Sequence, residues 1–144
     1  MTRSDEGATA VEFAFIVLPF MVFVFGALDF GLFEFQQSQT NAAARDGERQ
    51  AVLNATTSNT APSQVTSAAT ARLGIAKNGI TITMACTSGS TGSAVACTAA
   101  VPGSDTVTVT VKSSYTPLTP VLGQAIGSKT IVATSTQVIS GLPQ

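Results

Sequence analysis

Between Ala8 and Phe33 only Thr9, Glu12 and Asp29 interrupt an apolar run, and no formal charge falls between Phe13 and Leu28. A helix that crosses a bilayer needs about 20 mainly apolar residues, so the pattern predicts a transmembrane segment over about 8–33. A buried core helix of this kind would need protein on every side, and the rest of the chain is too polar to supply it. A cleaved secretory signal fits poorly. Such a segment starts basic and ends in small residues, whereas Asp5 and Glu6 precede this tract and Asp29, Phe30 and Phe33 close it.

Beyond Phe33 the pattern turns mixed but stays helical. In QQSQTNAAARDGERQAVLNA, Phe35, Ala42, Ala43 and Val52 lie roughly along one side, and Arg45 with Glu48 and Asp46 with Arg49 are spaced as i,i+3 pairs. One helix is therefore predicted over 8–55, about 70 Å long against a hydrocarbon core of about 30 Å. Its second half must project into water or lie on a folded domain. Pro19 cannot donate to the Phe15 carbonyl, which predicts a kink or local loosening. Phe13, Ile16, Phe20, Phe23, Ala27 and Phe30 recur at helical spacing, a seam that suits helix packing and lipid contact equally. Asp29 and Glu34 are expected at the outer membrane-water boundary.

TTSNTAPS ends the long helix, and the remainder, 56–144, reads as a small separate domain. Pro62 to Leu73 predicts a short second helix with Val65, Ala69 and Leu73 on one face and Gly74 at its end. GITITMA and DTVTVTV then alternate with period 2, as half-buried strands do. AVACTA predicts a short strand after the turn-rich TSGSTGS. Thr130 to Ile139 is also β-prone, with apolar residues on both faces. Pro117 and Pro120 exclude a central strand from YTPLTPVLGQAIG. A sheet with threonine on one face needs cover on the other. The economical fold is α+β: one long N-terminal helix, its first half membrane-spanning, packed on a small antiparallel sheet, with a short second helix.

Composition sharpens this division. All eight phenylalanines fall between Phe13 and Phe35, while residues 51–144 hold thirty Ser and Thr and one acidic residue, Asp105. The net charge of −1 gives no reason to expect nucleic acid as a partner. With no histidine and no phosphate-binding glycine loop, neither catalysis, a cofactor, a metal site nor a small-molecule substrate is expected. The two cysteines, Cys86 and Cys97, suit a short disulfide-closed loop better than a metal site, with two buried free thiols as the alternative. Period 2 puts Cys86 in phase with Ile80, Ile82 and Met84, and Cys97 with Val95, so both are expected on the apolar side of adjacent strands. An oxidised pair would place the domain outside the cytoplasm. Arg3 alone precedes the tract while Arg45 and Arg49 follow it, a count that by itself would put the N-terminus outside.

The run GATAVEFAFIVLPFMVFVFGALDFG, followed by NAAARDGERQAV and later by VTVTV and YTPLTPVLG, resembles the TadE-like family of pilin-related subunits of the bacterial tight-adherence, Flp-type IV pilus. The resemblance implies a pilin-like fold, a prepilin-type leader over 1–7 and peptidase cleavage between Gly7 and Ala8. It implies a cytoplasmic leader, an inner-membrane anchor and an extracytoplasmic domain, with a role in pilus assembly, surface attachment and biofilm formation. The implied partners are the lipid bilayer, the prepilin peptidase, and other pilin-like subunits with their assembly machinery. After such a cut Glu12 lies one helical turn from the new amine at Ala8, where it can pair with that amine or a neighbour's; otherwise it is an interfacial residue. The leader MTRSDEG departs from the pattern in having one basic residue and two acidic ones just before the cut. An uncleaved single-pass anchor carrying an external binding domain is the alternative.

Overall fold

The computed structural model of the chain describes residues 3–54, 61–74 and 79–140. Met1, Thr2, the helix end predicted near Ala55 and the breaking segment that follows it lie outside the described residues. The long helix, α1, covers Arg3–Asn54 and so begins upstream of the predicted Ala8. Nothing in SDEG forbids this, because it contains no proline and places acidic residues in a first turn, where the helix dipole favours them. Helix α2 (Ala61–Arg72) follows, then β1 (Thr81–Thr87), β2 (Ala94–Val95), β3 (Thr106–Tyr115), α3 (Pro120–Ile126) and β4 (Lys129–Val138). The sheet is wholly antiparallel in the order β2-β1-β3-β4. The architecture is the α+β arrangement the sequence predicts.

The strands alternate as expected. Val107, Val109 and Val111 of β3 face the helices fully buried, each stabilising the fold by about 1.5–3 kcal/mol through burial. Their threonine neighbours form the opposite face, where Thr108 meets Thr136 at 2.9 Å across the strands and Thr110 meets Thr134 at 3.4 Å. In β4, Ile131 and Ala133 turn inward while Val132 and Val138 stay exposed, which accounts for apolar residues on both faces. Val65, Ala69 and Leu73 are buried along one side of α2 and its exit, as predicted.

The packing face of α1 differs from the expected one. Phe35 and Ala42 are exposed, whereas Gln36, Thr40, Ala43, Ala44, Gly47, Glu48, Ala51 and Val52 are buried. Backbone proximity decides this. A Cβ added at Gly47 would lie 3.2 Å from Val109 Cγ1 and 3.4 Å from Ala69 Cβ, so helix, sheet and α2 meet at a point that only small residues allow. Of the two expected ion pairs one forms. Asp46 pairs with Arg49 at 4.0 Å and also with Arg72 of α2, but Glu48 accepts from Ser135 Oγ of β4, and no Arg45–Glu48 pair forms among the described residues.

Two further corrections concern loops. The strand predicted over AVACTA is only the two residues of β2, and Cys97–Ala99 forms a 3-10 turn, so Cys97 does not lie on a strand. The Asp105 carboxylate draws the chain away from the sheet here, accepting from Val101 N at 2.8 Å and from Gly89 N at 3.0 Å. At Gly89 a Cβ would meet the Ser104 carbonyl oxygen at 2.0 Å, so only glycine fits. The proline-containing linker includes α3, with Thr119 as its N-terminal flank and Pro120 in its first turn, where the missing N–H costs nothing.

Candidate functional site

Gly7, Ala8, Glu12 and Pro19 all lie on α1. Ala8 and Glu12 are solvent-exposed and one turn apart, a rise of about 6 Å. Because α1 starts at Arg3, the Gly7–Ala8 bond sits inside the helix, and in the intact chain the Ala8 nitrogen is an amide rather than an amine. No hydrogen bond or ion pair to Glu12 is found among the described residues. The helix runs through Pro19 without a break. The seam residues keep their large side chains outside the fold: Phe13, Ile16, Phe20, Phe23 and Phe30 are 56–75% exposed.

Cys86 and Cys97 form a disulfide with a Cα separation of 5.1 Å. Cys86 is buried on the inner face of β1, opposite Val95 of β2, and Cys97 reaches it from the 3-10 turn. Closing this short loop stabilises the domain by about 2–3 kcal/mol in the chain-entropy model. Asp105 braces the same region from the other side. Hydrogen bonds from the Val101 and Gly89 amides hold its carboxyl below the ordinary value of 3.8.

Asp29, expected at the membrane-water boundary, takes a further role as an acceptor for the linker. Its Oδ1 accepts from Leu118 N at 2.8 Å, and Oδ2 accepts from Thr119 N at 3.3 Å and from the Thr119 hydroxyl. The Tyr115 hydroxyl donates to the Asp29 carbonyl oxygen at 2.9 Å, and its ring meets Phe33 edge-on at 5.3 Å. Burial pushes the Tyr115 phenol above its ordinary 10.0, with the Asp29 charge acting the same way. The clamp continues along the helix: Gln36 Nε2 donates to the Ser114 carbonyl at 3.0 Å, Thr40 donates to the Gln36 carbonyl, and Ser113 meets Thr40 at 3.0 Å. Asp29 is thus where the domain takes hold of α1. Residues 8–28 below it extend about 30 Å, the thickness of a bilayer core.

Residues 7–49 match the family model described as TadE-like protein. Over that stretch the chain is similar to TadE-like proteins. The matched segment takes in Gly7, Ala8, Glu12, Pro19 and Asp29 and ends on the half of α1 that faces the sheet, so the sheet itself lies outside it. Comparison with curated proteins and with solved structures gave no match. The long apolar N-terminal helix fits a single-pass membrane protein.

Proposed function

We propose that the protein is a pilin-like structural subunit, a pseudopilin or minor pilin, that serves assembly of a tight-adherence pilus and through it surface attachment and biofilm formation. The observation that carries this reading is the TadE-like match starting at Gly7, on a helix whose large apolar side chains before Asp29 stay mostly exposed. A prepilin peptidase cuts between Gly7 and Ala8, with the leader in the cytoplasm and the disulfide-bonded domain outside. The role is structural rather than catalytic, and the partners are other pilin-like subunits and their assembly machinery.

The chemistry at the cut follows from the geometry. Cleavage frees an α-amino group, ordinarily cationic at neutral pH, one turn below Glu12. A carboxylate in mid-bilayer costs about 2.5–3.5 kcal/mol on insertion scales. Pairing with the amine of the same or a neighbouring subunit offsets that cost, and the neighbouring pair disfavours a subunit that is out of register. Local loosening at Pro19 would let the helix adjust on docking. Gly7, about 1 kcal/mol worse than alanine in a helix, is the place where the peptidase can most readily unwind the chain.

The second reading, an uncleaved anchor with an external binding domain, is favoured by the unbroken start of α1 at Arg3 and by the acidic leader. Intact-mass measurement on membrane and sheared-filament fractions separates the two. A chain starting at Ala8 is expected; one starting only at Met1 or Thr2 supports the anchor. In the same cells Glu12→Ala is expected to insert normally but to enter pilus complexes poorly, and normal incorporation would refute the pairing.

A further inference from the structure

Where the domain grips α1, an open cleft of about 390 Å³ remains between helix and sheet. Its walls are apolar: Gly26, Phe30 and Phe33 from one face of α1, and Pro117 and Ile126 from the far side. Lys129, the first residue of β4, stands in the lining as its one cation. Asp29 and Tyr115 also line it; the Asp29 carboxylate is hydrogen-bonded to Leu118 and Thr119 rather than ion-paired with the lysine. No ion pair involving Lys129 forms among the described residues. The volume and the apolar lining fall within the range of small-molecule sites, which run from about 300 to 1,000 Å³ and are mostly apolar.

Position says what fits. The lower wall, Gly26, belongs to the stretch that spans the bilayer core, and the cleft continues about 10 Å along the helix to Phe33, through the depth at which acyl chains give way to headgroups. Leu118 is 77% exposed and Ile126 47% exposed at the same level, so the membrane-facing end of the domain is itself apolar. A lysine at this depth reaches the headgroup region with its ammonium while its stem lies along apolar surface.

We infer that this cleft is a binding site for an anionic phospholipid, one acyl chain lying against Phe30, Phe33 and Ile126 and the phosphate on Lys129. The inference rests on the reading of residues 8–28 as the membrane span. The single acyl chain fills space that the clamp leaves open, and the headgroup supplies an ion-pair partner for Lys129, which forms none among the described residues.

Tyr115 makes the site directly observable, since it is the one tyrosine and there is no tryptophan. The full chain is reconstituted into phosphatidylcholine vesicles, and brominated phosphatidylglycerol or brominated phosphatidylcholine is titrated in while tyrosine emission is followed. Half-quenching is expected at about fivefold lower mole fraction for the anionic lipid, the preference that one lysine near a membrane confers. Lys129→Gln is expected to remove the headgroup preference. Gly26→Leu, at a position where an added Cβ meets nothing within 4 Å, is expected to fill the cleft and cut quenching by both lipids, with helix content unchanged. Equal quenching by the two lipids, or wild-type quenching in Gly26→Leu, overturns the proposal. Quenching that disappears as protein density rises assigns the cleft to a second copy and overturns it too. Failure of the chain to float with the vesicles would instead overturn the membrane reading on which it stands.

Discussion

Phe15 and Phe23 in the first half of α1 are about three-quarters exposed, whereas the second half turns Ala43, Ala44, Gly47 and Ala51 inward and seals them almost completely. Both halves are helical, yet they solve different packing problems. Large side chains suit a partner that adapts around them, lipid or another helix. Small ones allow a backbone to approach a sheet until Gly47 and Val109 nearly touch. Residue size, more than hydrophobicity, separates the two kinds of partner. Asp29 divides them, because its carboxylate is spent on the domain.

The sharpest way to break this comparison is to truncate one side chain on each side of the division. Leu73, fully buried against the second half, is expected to cost about 2–5 kcal/mol when changed to alanine. Phe23→Ala, in the first half, is expected to leave domain stability unchanged and to act only on membrane or subunit contacts. Denaturant unfolding of the full chain in micelles, followed by Tyr115 emission, measures both; equal losses would erase the distinction.

Next in size is the disulfide. Replacing Cys86 and Cys97 together by serine is expected to cost about 2–3 kcal/mol, seen as faster proteolysis at the β1-β2 hairpin with the membrane half untouched. The smallest effect concerns Asp105. Its folded carboxyl titrates below the ordinary 3.8, so the stability it supplies is fully present above that value and is lost as pH falls through the lower folded one. Asp105→Asn is therefore expected to be less stable than the parent at neutral pH, with the gap closing in acid. A gap independent of pH would mean that the charge on Asp105 contributes nothing.

How much of this was legible in the sequence depended on whether a residue's partner was local. Period 2 in DTVTVTV and the spacing of Val65, Ala69 and Leu73 report local geometry, and both faces came out as read. The disulfide was legible because two cysteines 11 positions apart in a chain without histidine suit a short closed loop better than a metal site. The burial of Gln36 and Thr40 in place of Phe35 and Ala42 was not, since it depends on Ser113 and Ser114, far away in the chain. The same holds for Asp29: at the end of an apolar tract it reads as an interfacial charge, and only the folded linker shows it as a cap for Leu118 and Thr119. A Thr-Pro pair is a helix-start signal, so α3 and the donor Thr119 could have been found inside YTPLTPVLG.

The division of α1 at Asp29, together with the proposed placement of the domain outside the cell membrane, is open to one direct test. Single cysteines are placed at Val22, Phe25, Gln37 and Asn41, all exposed positions of the helix, in otherwise native chains whose own cysteines are paired. Intact cells with a permeabilised outer layer are then treated with a membrane-impermeant maleimide. Labelling at 37 and 41 but not at 22 and 25 is the predicted result. Labelling at 22 or 25, or none at 37 and 41, would contradict it.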